Sequence, residues 1–192
     1  MAVTSTMLAL GTEAPDFSLT DVVTGRTVSR DDYADKTGLL VMFISNHCPY
    51  VKHVRAELAR IGRDYQDSGI GIVAICSNDP ELSPDDSPDL MKKEAEEHGY
   101  VFPYLHDPHQ TVAAAFTAMC TPDFFLFGPE RTLVYRGRMD ESRPDSGIPV
   151  TGRELRAAID AVLAGEPVSD EQFASMGCSI KWAEGRQPAH IG

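Results

Sequence analysis

The residues of this chain best suited to chemistry are its four cysteines, Cys48, Cys76, Cys120 and Cys178. They form no CxxC motif, and no two of them have the spacing of zinc ligands. Cys48 stands out because it lies between an apolar run and a helical pattern that begins at Pro49. A thiol in the first turn of a helix faces unpaired backbone N–H groups and the positive end of the helix dipole, and both favour the thiolate. Such a thiolate can attack a disulfide, or a peroxide to give a sulfenic acid.

Two histidines flank Cys48 and are candidates to assist it. A protonated imidazole stabilises a neighbouring thiolate. His53 is expected to point to solvent from a helix that begins near Pro49, so His47 is the better candidate. A solvated loop histidine without a chemical role is the alternative for His47.

Three elements must hold Cys48 in place. Residues 39–44 are rich in strand formers and about as long as a buried strand. After Pro49, apolar residues recur at four- and three-residue steps as far as Tyr65, which predicts one face of a helix. Residues 70–76 predict a second buried strand, in which Cys76 is a core residue. Cys48 is therefore expected at the carboxyl end of a central strand.

The rest of the chain predicts an α/β fold. The elements in order are a hairpin over 11–28, a surface loop over 78–86, a helix over 87–98, an edge strand at best over 102–105, a helix over 111–119, a strand hairpin over 123–138, and a helix from a capping box at 151–154 to Gly165. Residues 166–192 show no clear period. The first strand–helix–strand unit requires a parallel pair, and the later hairpin an antiparallel pair. We therefore expect one domain over 1–165, with a mixed central sheet flanked by helices, and a tail over 166–192 packed on it.

Composition limits the partners. The formal net charge of -12 disfavours nucleic acid and anionic membranes, since both would be repelled. The sequence contains no run of about 18 apolar residues, so no membrane span is predicted. The first ten residues lack the basic region of a signal peptide. These features predict a cytoplasmic protein whose cysteines are thiols at rest and whose disulfides are transient.

With these elements the chain resembles the thioredoxin fold, in which the active cysteine occupies this strand-to-helix junction. Gly11, Pro15 and Phe17 resemble the N-terminal hairpin of the redoxin branch, which includes the alkyl hydroperoxide reductase/thiol-specific antioxidant proteins. Residues 120–123 resemble the cis-proline loop of thioredoxin-like proteins, and residues 46–51 and 177–182 are similar to an uncharacterised peroxiredoxin-like group. The resemblance implies a thioredoxin-like fold with an N-terminal β-hairpin extension and a C-terminal tail.

The resemblance also implies a site around Cys48. The cis-proline loop lies beside the active cysteine in the family, and the residue before the proline pairs with substrate backbone. Thr121 and Pro122 are thereby candidate substrate-binding residues, together with His47 and Pro49 at the helix start. Cys120, two residues before Pro122, either resolves an adduct on Cys48 or is a packed thiol. Cys178 can resolve Cys48 only if the tail folds over the site.

Departures from the family pattern argue against two of the reactions that its members catalyse, the dithiol–disulfide cycle within one helix turn and the reduction of peroxide. Dithiol thioredoxins carry their second cysteine three residues after the first, where this chain has Val51, and a buried acid six residues before it, where this chain has Met42. Peroxiredoxins carry a proline seven residues before the cysteine, where this chain has Val41, although Ser45 matches their hydroxyl residue. The arginine of the peroxidases is also missing from its place.

We therefore expect a cytosolic thiol–disulfide oxidoreductase that acts through Cys48 as its single nucleophile. It would form a mixed disulfide with a protein or a low-molecular-weight thiol, resolved by Cys120, by Cys178 or by an external thiol. One alternative is a one-cysteine peroxidase that acts on peroxide. Another is a non-catalytic module that binds a partner, or a soft metal such as copper through Cys48 with His47 or His53. No cofactor is predicted.

Overall fold

The computed structural model describes residues 2–189. Its strands are β1 (Ala2–Thr4), β2 (Ser18–Asp21), β3 (Thr27–Ser29), β4 (Gly38–Phe43), β5 (Ile70–Cys76), β6 (Tyr104–His106), β7 (Cys120–Thr121), β8 (Asp123–Phe127), β9 (Leu133–Gly137) and β10 (Met176–Ser179). Its helices are α1 (Pro49–Tyr65), α2 (Pro88–His98), α3 (Thr111–Ala115) and α4 (Arg153–Ala164), and short 3₁₀ helices span Arg30–Tyr33 and Pro84–Asp86.

Seven strands form a mixed central sheet in the order β3-β2-β6-β5-β4-β8-β9. The neighbours β4, β5 and β6 are parallel, because α1 and α2 carry the chain back between them. β8 and β9 are added antiparallel on one side, and the hairpin β2–β3 on the other. The predicted α/β architecture, with a mixed sheet and an N-terminal hairpin, is confirmed.

The central strand β4 separates two halves of the core. Leu40 and Met42 face the side where α1, α2 and α4 pack. Leu39 and Val41 face the opposite side, where the residues around α3 pack. All of β4 is buried, and burial on both faces accounts for its continuous apolar sequence. A rigid, fully buried strand therefore leads to Cys48.

One strand lies deeper in the sheet than the sequence predicts. The pattern over 102–105 favours an edge strand at best, whereas β6 lies between β2 and β5. Pro103 does not prevent this arrangement, because it precedes β6 and its carbonyl accepts a hydrogen bond from the N–H of Ala74. The N-terminal hairpin covers the outer edge of β6 and makes it internal.

The predicted capping box at 151–154 is wrong. Gly152, in a left-handed conformation (φ 65), is the cap residue of α4 in place of Thr151, whose hydroxyl accepts a hydrogen bond from the N–H of Arg153 at 3.3 Å. The carboxylate of Asp140 accepts hydrogen bonds from the N–H groups of Thr151 (2.7 Å) and Gly152 (2.6 Å). A residue from the preceding loop thus binds these N–H groups, which local spacing does not reveal. The helix predicted over 111–119 is also shorter, since α3 ends at Ala115.

A second sheet of three strands brings the tail to the site. β10 lies between β1 and β7 and is antiparallel to both. The sequence predicts neither β1 nor β10. Beyond β10, Ile180 is buried and Trp182 packs against the same half of the core. The tail after Gly165 therefore crosses the edge of the main sheet before it packs on the core.

None of the helices within residues 2–189 has both the length and the apolar character that a membrane span requires.

Candidate functional site

Cys48 lies at the junction of β4 and α1, where the sequence places it. It directly precedes α1, of which Pro49 is the first residue. Its side chain is fully buried. The thiol donates a hydrogen bond to the main-chain oxygen of Thr121, with 3.0 Å between Sγ and O. A thiol that donates to a carbonyl is in its neutral form, so this contact must break before the sulfur attacks.

The loop at Thr121 and Pro122 packs against Cys48. The peptide bond between Thr121 and Pro122 is cis, as the resemblance implies. The buried hydroxyl of Thr121 is 3.0 Å from that of Ser45, three residues before Cys48. The structure thus brings together Cys48, Pro49, Thr121 and Pro122.

Cys178 reaches Cys48 through β10. The pairing of β10 with β7 places Cys178 opposite Thr121, whose carbonyl accepts from Cys48. Cys178 packs against the core cluster that contains Cys48. Burial, followed by the neighbouring Cys48, raises the pKa of the Cys178 thiol to about 11, while Lys181 acts in the opposite direction. Cys178 therefore keeps its proton at neutral pH.

Gly177 allows β10 to lie this close to the cis-proline loop. A Cβ at this position would lie 1.9 Å from the main-chain oxygen of Thr121 and 3.2 Å from the nitrogen of Pro122. Every residue other than glycine would therefore push β10 away from β7. The position of Cys178 near Cys48 depends on this missing side chain.

The remaining cysteines are buried. Cys120 has its sulfur 3.9 Å from the main-chain oxygen of Pro122, in its own loop. Burial raises the pKa of Cys120 well above its ordinary value, and the charge of Asp123 adds to this effect. Cys120 is near enough to Cys48 for their charges to interact. Cys76 is fully buried in β5, where the sequence places it in the core.

A buried carboxylate, Asp86, holds the segment that leads into α1. It accepts a hydrogen bond from the N–H of Asn46 (2.6 Å) and lies 2.7 Å from Nδ1 of His47. Ser83 (2.6 Å) and Asn78 (2.8 Å) donate to the same carboxylate. Burial alone raises the pKa of Asp86, but the hydrogen bonds, first that of His47, outweigh burial and lower the pKa below its ordinary value. Asp86 therefore orients the imidazole of His47 with Nδ1–H toward the carboxylate.

Sequence reasoning missed Asp86. It belongs to the Pro- and Asp-rich segment before α2, for which a surface loop is predicted. That prediction is wrong for Asn78, Ser83 and Asp86, which are all buried. Acidic residues next to proline and serine are typical of exposed turns. No local pattern distinguishes Asp86 from the exposed Asp85 beside it.

The same hydrogen bonds extend to the tail beyond β10. Asn78, which donates to Asp86, also accepts a hydrogen bond from the N–H of Lys181 at 2.8 Å. Gln110 donates to the main-chain oxygen of Lys181 (2.8 Å) and accepts from the N–H of Ala183 (2.8 Å). A continuous set of hydrogen bonds therefore joins the tail to the buried carboxylate. We call Asn78 and Gln110 the tail clasp.

His53 lines a pocket, so the prediction that it points to solvent is wrong. Its Nε2 atom is buried and has no hydrogen-bond partner within residues 2–189. The pocket has a volume of about 480 Å³ and is bounded by α1, by Pro122, by the chain that follows β9 and by Met176 of β10. Residues of the segment after β9 line the pocket together with His53.

The thiols and imidazoles do not assemble into a metal site in the described part of the chain. No group of three or more His, Cys, Asp or Glu side chains there is arranged to hold an ion. His47 is bound to Asp86, and His53 lines the pocket. The alternative of a soft-metal site made by Cys48 with either histidine thus has no geometric support.

Solved structures share this architecture. An uncharacterised conserved protein from Geobacillus kaustophilus is 53% identical, with a TM-score of 0.94 and a match that covers 96% of this chain and 98% of that one. A hypothetical protein from Sinorhizobium meliloti 1021 is 47% identical, with a TM-score of 0.93 and coverage of 95% and 99%. The thioredoxin domain of a thiol-disulfide oxidoreductase from Bacteroides vulgatus is 23% identical, with a TM-score of 0.57 and coverage of 71% and 90%. This last likeness concerns the fold alone, and it confirms the predicted thioredoxin-like fold.

Sequence comparison identifies the family. The chain is 30% identical over 121 residues to thiol-disulfide oxidoreductase ResA from Geobacillus kaustophilus, a match that covers 63% of this chain and 64% of that protein. It thus spans less than two thirds of this relative. The AhpC/TSA family model matches residues 10–136, which include Cys48 and the cis-proline loop but end before β10. The chain therefore belongs to the AhpC/TSA family.

Proposed function

We propose that the chain is a thiol–disulfide oxidoreductase in which Cys48 is the nucleophile and Cys178 the resolving thiol. The observation that carries the proposal is the position of Cys178, which pairs with Thr121 of the cis-proline loop and packs against the cluster that contains Cys48, whose thiol donates to the main-chain oxygen of Thr121. Membership of the AhpC/TSA family and the similarity to a thiol-disulfide oxidoreductase support the class of reaction. Of the resolving groups that the sequence leaves open, Cys178 is the half-exposed one on a short strand, whereas Cys120 is sealed in the core.

The proposed reaction has two exchange steps. The Cys48 thiolate attacks one sulfur of a substrate disulfide, forms a mixed disulfide and expels the first substrate thiolate. The Cys178 thiolate then attacks the sulfur of Cys48, and the second substrate thiolate leaves. The two substrate thiolates take up the protons that the cysteines lose. The substrate disulfide is thereby reduced to two thiols, while the protein gains the Cys48–Cys178 disulfide, which an external dithiol must reduce.

The order of the two steps follows from the pKa of Cys178. With a pKa of about 11, roughly one Cys178 side chain in ten thousand is ionised at pH 7, so Cys178 attacks poorly while the protein is reduced. Cys48, by contrast, lies at the N-terminus of a helix whose unpaired N–H groups favour a thiolate. Because Cys48 is fully buried, Cys178 must swing away to admit the substrate, and it is then free to return as the resolving thiol.

Peptide mapping after oxidation tests the proposal. The full chain is treated with a small disulfide, alkylated, digested without reductant and analysed by mass spectrometry. We expect the wild type to contain a Cys48–Cys178 link, and Cys178→Ser to accumulate a mixed disulfide on Cys48. Cys120→Ser is the matched control and should behave as the wild type. A Cys48–Cys120 link, or an unreactive Cys48, would refute the proposal.

The same variants, assayed for peroxide consumption, distinguish the proposed reaction from that of a one-cysteine peroxidase. Peroxide consumption that survives in Cys178→Ser and stops in Cys48→Ser would favour the peroxidase, whereas we expect no sustained turnover of peroxide.

The proposed location is the cytoplasm. Its support is the chain's widely spaced cysteines without a CxxC motif, a pattern that suits thiols kept reduced between reactions.

A further inference from the structure

The edge of the cis-proline loop is closed to an incoming polypeptide. A peptide that adds to a sheet needs a strand edge with unpaired main-chain groups. At this loop the edge belongs to β7, and β10 already pairs with it. The other edge of β10 is paired with β1. The tail thus occupies the place beside Cys48 where an extended substrate chain would pair.

The pocket that contains His53 is lined by residues close in sequence to the two thiols, although neither thiol lines it. Tyr50, two residues after Cys48, lines it, as does Pro122. Met176 also lines it and lies two residues before Cys178 on β10. Side chains two residues apart project from the same face of a strand, so Cys178 is on the pocket side of β10. The volume of about 480 Å³ is that of a site for a small molecule.

Most charged groups around the pocket are already paired. Arg138 makes a two-pronged ion pair with Glu154. Glu141 is paired with Arg153. Asp140, the remaining acid, accepts hydrogen bonds from main-chain N–H groups. None of these side chains is available to a ligand without loss of an internal contact.

Arg143 remains available. The guanidinium of Arg143 contacts the sulfur of Met176 at 3.8 Å and has no acidic partner within residues 2–189. Ile148 and Phe173, both large apolar residues with exposed side chains, line the same pocket. An unpaired cation beside apolar walls suits a ligand with a carboxylate and an apolar part.

We propose that this pocket binds a low-molecular-weight disulfide that carries a carboxylate and an apolar group, and that such a compound, not a polypeptide, is the substrate of the thiol pair. This inference rests on the proposed function, because it assumes that Cys48 and Cys178 exchange with a disulfide. Arg143 would bind the carboxylate, and the apolar walls would hold the body of the ligand beside Cys178.

Two aromatic disulfides of similar size but different charge test this inference. The reduced full chain reacts with 5,5′-dithiobis(2-nitrobenzoate), which carries carboxylates, and with neutral 4,4′-dithiodipyridine, and the release of coloured thiol is followed. We expect Arg143→Ala to slow the reaction with the anionic probe about fivefold, the upper range for a solvent-exposed ion pair, and to leave the neutral probe unchanged. Arg143→Glu should slow the anionic probe further. Arg63→Ala, which removes an exposed arginine of α1 outside the pocket, is the matched control for charge.

The outcomes separate the two proposals. If Arg143→Ala changes both probes equally, or neither, the pocket does not select an anion and the inference is wrong. Reduction of insulin disulfides by the wild type as fast as that of the anionic probe would also overturn it. If Cys48→Ser instead reacts with both probes as the wild type does, the proposed function itself fails.

Discussion

The substitution Gly177→Ala probes the contact on which the redox proposal depends. Its added Cβ would lie 1.9 Å from the main-chain oxygen of Thr121, whereas such contacts essentially never fall below 3.0 Å. β10 must therefore retreat by about 1 Å. No positive φ is involved at Gly177, so the effect is steric and not a strain of the alanine backbone.

The size of the expected effect follows from the hydrogen bonds between β10 and β7 that this movement breaks. β10 and β7 pair over only two residue pairs, Cys178 with Thr121 and Ser179 with Cys120. Loss of about two hydrogen bonds, each with a net contribution of about 0.5–1.5 kcal/mol, destabilises the docked strand by about 1–3 kcal/mol. Since about 1.4 kcal/mol corresponds to a factor of ten, we expect the Cys48–Cys178 disulfide to form about tenfold more slowly.

The assay is the rate of this disulfide's formation. The mixed disulfide on Cys48 is generated with a small disulfide, quenched with acid at intervals and quantified by mass spectrometry. Gly128→Ala serves as the control, because its Cβ would lie nearest to the side chain of Val134, at 3.2 Å, and no closer than 4.0 Å to the main-chain oxygen of Thr132. If Gly177→Ala closes the Cys48–Cys178 bond as fast as the wild type does, then the seating of β10 does not position Cys178, and our reasoning is wrong.

Three further predictions concern buried groups. Burial raises the pKa of Asp123 to about 7, so the folded protein keeps a proton on Asp123 that the unfolded chain releases. The stability of the wild type should therefore fall as the pH rises from about 4 to about 7. Thermal melts should show a smaller fall for Asp123→Asn. Because the pKa of Asp86 is lowered in the folded protein, the carboxylate stabilises the fold above its unfolded pKa, and this stabilisation is lost as the pH falls through the folded pKa. In urea unfolding at pH 7, Asp86→Asn should reduce the free energy of unfolding by about 2–4 kcal/mol. The stability of this variant should also change less with acid than that of the wild type. Asn78→Ala removes half of the tail clasp and should increase alkylation of Cys48 by iodoacetamide, while Asp85→Ala, an exposed neighbour, should not.

The parts of the site that the sequence predicts are those with local signals. The apolar run before Cys48 and the proline after it specify a strand that ends where a helix begins. In this case the neighbours in sequence are also the neighbours in space. The place of Cys120, Thr121 and Pro122 beside Cys48 is not a local signal, and only the resemblance to thioredoxin-like proteins implies it.

The parts that the sequence does not predict arise from contacts between distant segments. Asp86 is buried because His47 and Asn78 reach it from other elements. His53 lines a pocket with the segment after β9 and its Nε2 atom is buried, so its position on α1 alone gives the wrong exposure. β10 is a four-residue strand with a mixed sequence, and it exists because β1 and β7 supply its partners.

The enclosure of β10 between β1 and β7 affects when activity can appear during biosynthesis. Every other strand in the described part of the chain leaves the ribosome before β10. A nascent chain can therefore fold its main sheet, and bury Leu40 and Met42, while Cys48 still lacks the neighbouring thiol of Cys178. During that interval the edge of β7 is open, and a small disulfide of the surrounding medium can exchange with Cys48, which forms a mixed disulfide and releases one thiol. Arrival of β10, the last strand within residues 2–189, ends this period because it covers Cys48, and under the proposed function it also supplies the resolving thiol.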